Sequence, residues 1–213
     1  AQLLEGPLPI VITHFTPAGR REVSRLFSSA VADGRLTPCY IPFDYDAAFK
    51  RFFNAFSPTY GLVMEVEFWP AMIMSSRKRG IPLYLCNGQY PSKSFERDQS
   101  RLFSRANIVS GFAGVMVKSQ LQAGRFRKLG VKKIAVTGEM RFEQPIPQAH
   151  LNAAHNLCSG AFVGRPIITL ASVVEGEDHR FLTLISQVQA HFETQNEPAP
   201  LFIYVPRAPD RFD

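Results

Sequence analysis

Glu65 and Glu67 are the two residues of this chain whose types and spacing most suggest chemistry. They lie in Gly-Leu-Val-Met-Glu-Val-Glu-Phe-Trp-Pro, residues 61–70, which also holds the only tryptophan, Trp69. The segment is otherwise apolar and reads as a β-strand over 61–68. On a strand, side chains at i and i+2 share a face, so both carboxylates are expected to point one way near the strand's end. Acids in apolar surroundings are costly unless paired or used. One reading is an acid/base or charge-stabilising site at the carboxyl end of a parallel strand, where ligand sites of open α/β sheets lie. The other is structural: one acid caps a helix starting near Pro70, or pairs with an arginine.

Other stretches offer weaker candidates. Thr16-Pro17-Ala18-Gly19, followed by Arg20-Arg21, reads as a turn, or as a strand-to-helix loop whose N–H groups face an anion. Arg141, in Thr137-Gly138-Glu139-Met140-Arg141-Phe142, is a candidate to enter a cleft between domains and meet a phosphate or carboxylate. A plain surface arginine is the alternative. Ser172, in Ala171–Glu177, is either an anion contact beside a coming helix N-terminus or an ordinary helix cap. In Val205-Pro206-Arg207-Ala208-Pro209-Asp210-Arg211-Phe212, Arg207 is a candidate phosphate or nucleotide contact, or part of a rigid loop. The histidines show no HExxH spacing, no GxSxG elbow occurs, and no cysteine has an obvious activating partner. No metal site and no cofactor are expected.

These residues need a scaffold, and the hydrophobic pattern supplies one. Strands are expected at 9–13, 38–42, 61–68, 82–86, 114–117 and 134–136. Helices are expected at 20–32, 46–56, 70–79, 93–106 and 119–129. Short apolar strands alternating with helices signal a parallel α/β sheet, and strands without polar alternation fit a sheet covered on both faces. Prolines and glycines over 143–165, around a modest helix at 148–157, mark a domain boundary. A strand at 166–171, a helix at 177–193 and a strand at 200–205 then make one βαβ unit. The expected organisation is a Rossmann-like domain over 1–145, a linker over 146–165, and the beginning of a second, incomplete domain over 166–213.

Composition is that of an ordinary globular protein, 46% hydrophobic and 20% charged over 213 residues. The net charge of +6 is concentrated between Arg77 and Lys133, where Glu96 and Asp98 are the only acids. Such a block suggests an anionic partner: a phosphorylated ligand or an acidic membrane surface. Solvated helix faces are the plain alternative. No nucleic-acid partner is expected, because no binding motif for one appears. The three cysteines fit reduced thiols, and no apolar run reaches membrane-spanning length. The chain opens Ala-Gln-Leu-Leu, which leads us to expect a piece of a longer protein.

The motifs, taken in order, resemble those of the Kdo (3-deoxy-D-manno-octulosonic acid) transferases of lipopolysaccharide synthesis. They are Phe-Thr-Pro-Ala-Gly (15–19), Tyr-Ile-Pro-Phe-Asp (40–44), Met-Glu-Val-Glu-Phe-Trp-Pro (64–70), Arg-Gly-Ile-Pro-Leu (79–83), Arg-Phe-Arg-Lys-Leu-Gly (125–130), Val-Thr-Gly-Glu-Met-Arg-Phe (136–142), Glu-Gly-Glu (175–177) and Val-Pro-Arg-Ala-Pro-Asp-Arg-Phe (205–212). The resemblance implies a two-domain, α/β glycosyltransferase of the GT-B type. Such an enzyme moves Kdo from CMP-Kdo to a phosphorylated lipid A precursor at the cytoplasmic face of the inner membrane, with inversion and without a metal. It implies that Glu65 and Arg141 stabilise the transition state, Arg141 standing where the family has lysine. It implies that Pro206 and Arg207 hold the CMP moiety; Glu67, the motif neighbour of Glu65, and Ser172 are further candidate site residues. The basic block would suit an anionic donor, a phosphorylated acceptor and a membrane surface.

The chain departs from the family pattern at Gln89, where the resemblance expects arginine, and at Val174, where it expects histidine. The family's general base belongs to a Ser-x-Gly-Glu loop ahead of the first strand, and a Gly-rich nucleotide loop follows the second domain's opening. Neither has a match here, so the 213-residue chain is expected to be inactive alone. Two other functions fit the residues less well: a GT-B enzyme using another nucleotide sugar, and a non-catalytic anion- or membrane-binding remnant.

Overall fold

A computed structural model describes residues 2–99, 106–160, 164–208 and 211. It divides into two units, Ala1–Gln144 and Pro145–Asp213.

The first unit opens with β1 (Ile10–His14), which pairs in parallel with β2 (Leu36–Tyr40). The intervening helix is expected at 20–32 but starts earlier and is broken into α1 (Pro17–Leu26) and α2 (Ser28–Ala32). Thr16 causes the early start. Its Oγ1 accepts from the Gly19 N–H at 3.1 Å, and Pro17, which has no N–H to leave unpaired, takes the first helical position. The break falls at Phe27, whose backbone (φ −123°, ψ 32°) is not helical.

A four-stranded parallel sheet follows, in the order β3 (Gly61–Met64), β4 (Leu83–Gly88), β5 (Gly114–Val117) and β6 (Ile134–Val136). Helices α3 (Asp46–Phe56), α4 (Pro70–Lys78), α5 (Ser92–Gln99), α6 (Ala106–Val109) and α7 (Gln120–Lys128) lie between strands in sequence. The expected helix 93–106 is thus seen as α5 and the start of α6, and its remaining residues, 100–105, lie outside the described ones. The core joins Phe49 and Phe53 of α3, Ile73 of α4, Leu85 of β4, Val117 of β5 and Phe126 of α7. Each such side chain contributes about 1.5–3 kcal/mol through burial. The phenylalanine stripe of α3 therefore does the work its spacing announces.

Two features differ from the sequence expectation. β3 ends at Met64 rather than running to residue 68, because Glu65 takes a left-handed backbone (φ 59°). Its N–H still donates to Cys86 O at 2.9 Å, and its carbonyl accepts from the Gln89 N–H at 3.3 Å. Beyond it the chain turns tightly, with Phe68 N–H donating to Val66 O at 2.8 Å. Glu65 and Glu67 therefore do not share a strand face. The second difference is burial: Leu62 and Met64 of β3 are exposed, whereas β4 is buried along nearly its whole length.

The second unit contains α8 (Gln148–Ser159), β7 (Ile167–Val173), α9 (Asp178–Thr194) and β8 (Leu201–Pro206), with β7 and β8 parallel. Most of β7 is exposed; two strands and α9 do not cover both faces of a sheet. Among the described residues no helix is long and apolar enough to cross a membrane.

Candidate active site

Parallel strands bring their carboxyl ends to one edge, and in this sheet each strand delivers a polar side chain there. Glu65 follows β3, Asn87 lies near the end of β4, Lys118 follows β5, and Glu139 and Arg141 lie just beyond β6. The Arg141 guanidinium donates to Glu65 Oε1. Lys118 Nζ sits 2.7 Å from Glu139 Oε2 and 4.0 Å from Glu65 Oε1. Asn87 Nδ2 donates to Glu139 Oε1 at 2.7 Å, while Asn87 Oδ1 accepts from the Met140 N–H at 3.2 Å. The Lys118 ammonium, and after it the Asn87 amide, holds the Glu139 carboxyl down to about 2.

Backbone strain marks the same edge. Glu65 and Asn87 are both left-handed, at φ 59° and 53°, and the β4–β5 register shifts between Leu85 and Gly88. A left-handed non-glycine residue costs about 1–2 kcal/mol, and such strain collects at functional sites. Here it turns the Glu65 side chain toward Lys118 and Arg141. The loop after β4 is pinned from below: Tyr90 N–H donates to Gln122 Oε1 at 2.7 Å, and Tyr90 OH donates to Asp98 at 2.6 Å. Arg125 donates to Ser92 Oγ at 2.7 Å.

The other expected residues separate. Glu67 accepts from the Trp69 indole N–H at 2.5 Å, away from the Glu65 cluster. Neither acid caps α4; Asp44 does, its Oδ1 accepting from Ala71 and Met72 N–H at 2.9 and 3.2 Å. Thr16 is a helix cap within the first turn of α1. In the second unit Ser172 is left-handed (φ 62°) inside a β7 bulge and is not the cap of α9, which is Glu177. Pro206 ends β8 opposite Val173, and the Arg207 N–H donates to Val173 O at 2.9 Å, leaving the Arg207 side chain exposed. Ser172, Pro206 and Arg207 therefore gather at the carboxyl ends of β7 and β8.

Several participants are invisible to motif reading. Glu139, Asn87 and Lys118 form the centre of the cluster, yet sequence singles out none of them as a site residue. Asp178, at the start of α9, accepts from Tyr204 OH and from Arg211, each at 2.5 Å. The Tyr204 hydroxyl, then Arg211, lowers the Asp178 pKa, and Asp178 in turn raises that of Tyr204. His14, at the end of β1, is buried with both ring nitrogens unpaired among the described residues, and burial followed by Arg20 lowers its pKa. Burial pushes the Cys39 and Cys86 thiols up, so neither is a ready nucleophile.

The basic block divides by role. Arg79, Lys118 and Arg125 are committed to internal contacts. Arg77, Lys132 and Lys133 instead line an open pocket of about 420 Å³ at the amino ends of β5 and β6, away from the Glu65 edge.

Residues 2–144 match the model of the 3-deoxy-D-manno-octulosonic-acid transferase family. The chain belongs to the Kdo transferase family. The family's Bordetella pertussis 3-deoxy-D-manno-octulosonic acid transferase is 35% identical over 211 residues, covering 99% of this chain and 48% of that protein. The Haemophilus influenzae transferase of the same name is 27% identical over 208 residues, covering 97% and 46%. The chain thus spans about half the length of these relatives. Among solved structures, the Neisseria meningitidis UDP-GlcNAc 2-epimerase bound to UDP-GlcNAc superposes with a TM-score of 0.51 at 10% identity, over 95% of this chain and 67% of that one. The fold is α/β of the GT-B type, and the family is one of glycosyltransferases.

Proposed function

We propose that this chain carries the acceptor-side half, and the start of the donor-side half, of an enzyme that transfers Kdo from CMP-Kdo to a phosphorylated lipid A precursor. The setting is the cytoplasmic face of the bacterial inner membrane. The observation that carries this reading is the Glu65–Arg141 pair, backed by Lys118, at the carboxyl edge of a parallel sheet.

The chemistry follows from charge. The acceptor hydroxyl oxygen forms a bond to the anomeric carbon of Kdo while the bond from that carbon to the CMP phosphate breaks. The electron pair leaves with CMP, the hydroxyl proton passes to a general base, and backside attack inverts the centre. Positive charge builds on the sugar carbon and negative charge on the leaving phosphate. Glu65 stabilises the first and Arg141 the second. In a metal-independent transfer, Arg141 supplies the positive charge, with Lys118 held behind it as a counter-ion to Glu65 and Glu139. Glu139 is a poor general base, because a carboxyl held at about 2 scarcely accepts a proton near neutral pH.

On the donor side, Pro206 and Arg207 hold the CMP moiety, with Ser172 beside them. The support is their common position at the ends of β7 and β8, with the Arg207 side chain exposed. Binding of CMP against UDP by the full-length protein carrying this chain is the test. Preference for CMP supports the reading, and preference for UDP replaces it with another nucleotide sugar.

A further inference from the structure

We propose that Glu139 is a positioning residue: it fixes Lys118 and the Arg141-bearing turn against Glu65. Its catalytic consequence rests on the transferase reading above; its structural part does not.

Glu139 uses both carboxylate oxygens. Oε2 accepts from Lys118, Oε1 from Asn87, and Oε1 also faces the Arg141 N–H at 3.4 Å. Asn87 completes a clamp. It is 2% exposed, and its two amide atoms reach Glu139 on one side and the Met140 N–H on the other. The carboxyl ends of β4 and β5 are thereby tied to the turn that begins at Met140. Arg141 lies in that turn, so its reach to Glu65 depends on where Glu139 holds it.

Other roles fit poorly. Both Glu139 oxygens are already engaged by protein donors, which leaves little of its acceptor capacity for a substrate. A decorative surface ion pair contributes little and would not commit a buried asparagine at both ends. The clamp also divides the two cations. The Lys118 side chain is 18% exposed and sits between Glu65 and Glu139, a fixed counter-ion. The Arg141 side chain is 69% exposed, so it is the cation that faces a ligand.

The test has two arms. In the 213-residue chain, the ¹⁵N guanidinium resonances of Arg141 report restricted rotation when the group is paired. Glu139→Gln is expected to restore fast rotation while circular dichroism stays unchanged, and Glu139→Asp to retain part of the restriction. Asn87→Ser, which keeps the Glu139 charge, should act in the same direction and serves if Glu139→Gln does not fold. Unchanged Arg141 resonances in either folded variant would overturn the proposal.

In the full-length protein carrying this chain, Glu139→Gln is expected to lower kcat about tenfold with the KM for CMP-Kdo unchanged. Added to Arg141→Ala, it should cause no further loss, because positioning acts through Arg141. Additive losses contradict the proposal. Loosened Arg141 in a protein that transfers no Kdo would refute the transferase reading and leave the positioning role standing.

Discussion

Arg141 and Glu65 are ion-paired across 76 positions of sequence, from the turn after β6 to the end of β3, with β4 and β5 between them in the sheet. A left-handed Glu65 and a clamped Arg141 turn make that reach. The pair closes one edge of the first unit and sets opposite charges side by side there.

Arg141 is therefore the residue to vary for charge against geometry. Arg141→Lys keeps the positive charge and loses the planar fork; Arg141→Ala loses both. Loss of one electrostatic stabiliser typically costs about 10²–10³ in kcat. The alanine variant of the full-length protein should fall in that range, and the lysine variant should retain a larger share. Steady-state transfer rates with CMP-Kdo measure the difference.

Asp44 makes a prediction independent of function. It caps α4 from 27 residues away, because the local cap position is Trp69, whose side chain makes no capping bond. Asp44→Ala should destabilise the first unit by about 1 kcal/mol, and Asp44→Asn by less. Urea denaturation followed by circular dichroism reads both.

The low pKa of Glu139 sets a direction for acid sensitivity. Its folded value of about 2 lies below its ordinary value of 4.5. A depressed carboxyl stabilises the folded state above 4.5, and that stabilisation is lost as pH falls from 4.5 toward 2. Denaturation midpoints should drop through this window in the wild-type chain. In Glu139→Gln the part of the drop due to this group should vanish.

How far the sequence led can be judged residue by residue. The alternation of strands and helices was legible, because apolar runs and their spacing are local. So were the stripe on α3 and the order of the motifs. The left-handed turn at Glu65 was not, since nothing in Met-Glu-Val-Glu distinguishes a strand that continues from one that stops. That single dihedral sends Glu65 to Arg141 and frees Glu67 for Trp69. The Trp69 partner lay two residues away, and the indole N–H, which wants an acceptor, was a usable signal. Glu139 was out of reach. Its amide partner Asn87 lies 52 positions away, and only the parallel sheet brings the two together. The cap of α4 by Asp44 was hidden in the same way.

Arg207 carries the donor-side prediction. Its exposed side chain sits at the end of β8, and on the proposed reading it contacts the nucleotide phosphate. Arg207→Ala in the full-length protein should weaken CMP binding about tenfold or more through the lost charge-assisted hydrogen bonds. Isothermal titration with CMP measures it, and Glu65→Gln should leave that affinity unchanged.

The most direct measurement is Kdo transfer from CMP-Kdo to a lipid A precursor by the full-length protein carrying this chain, with and without Glu65→Gln. The account predicts transfer by the wild type and a fall of about 10²-fold or more in kcat for the variant, with CMP affinity intact. Transfer at the wild-type rate by a folded Glu65→Gln protein would contradict it.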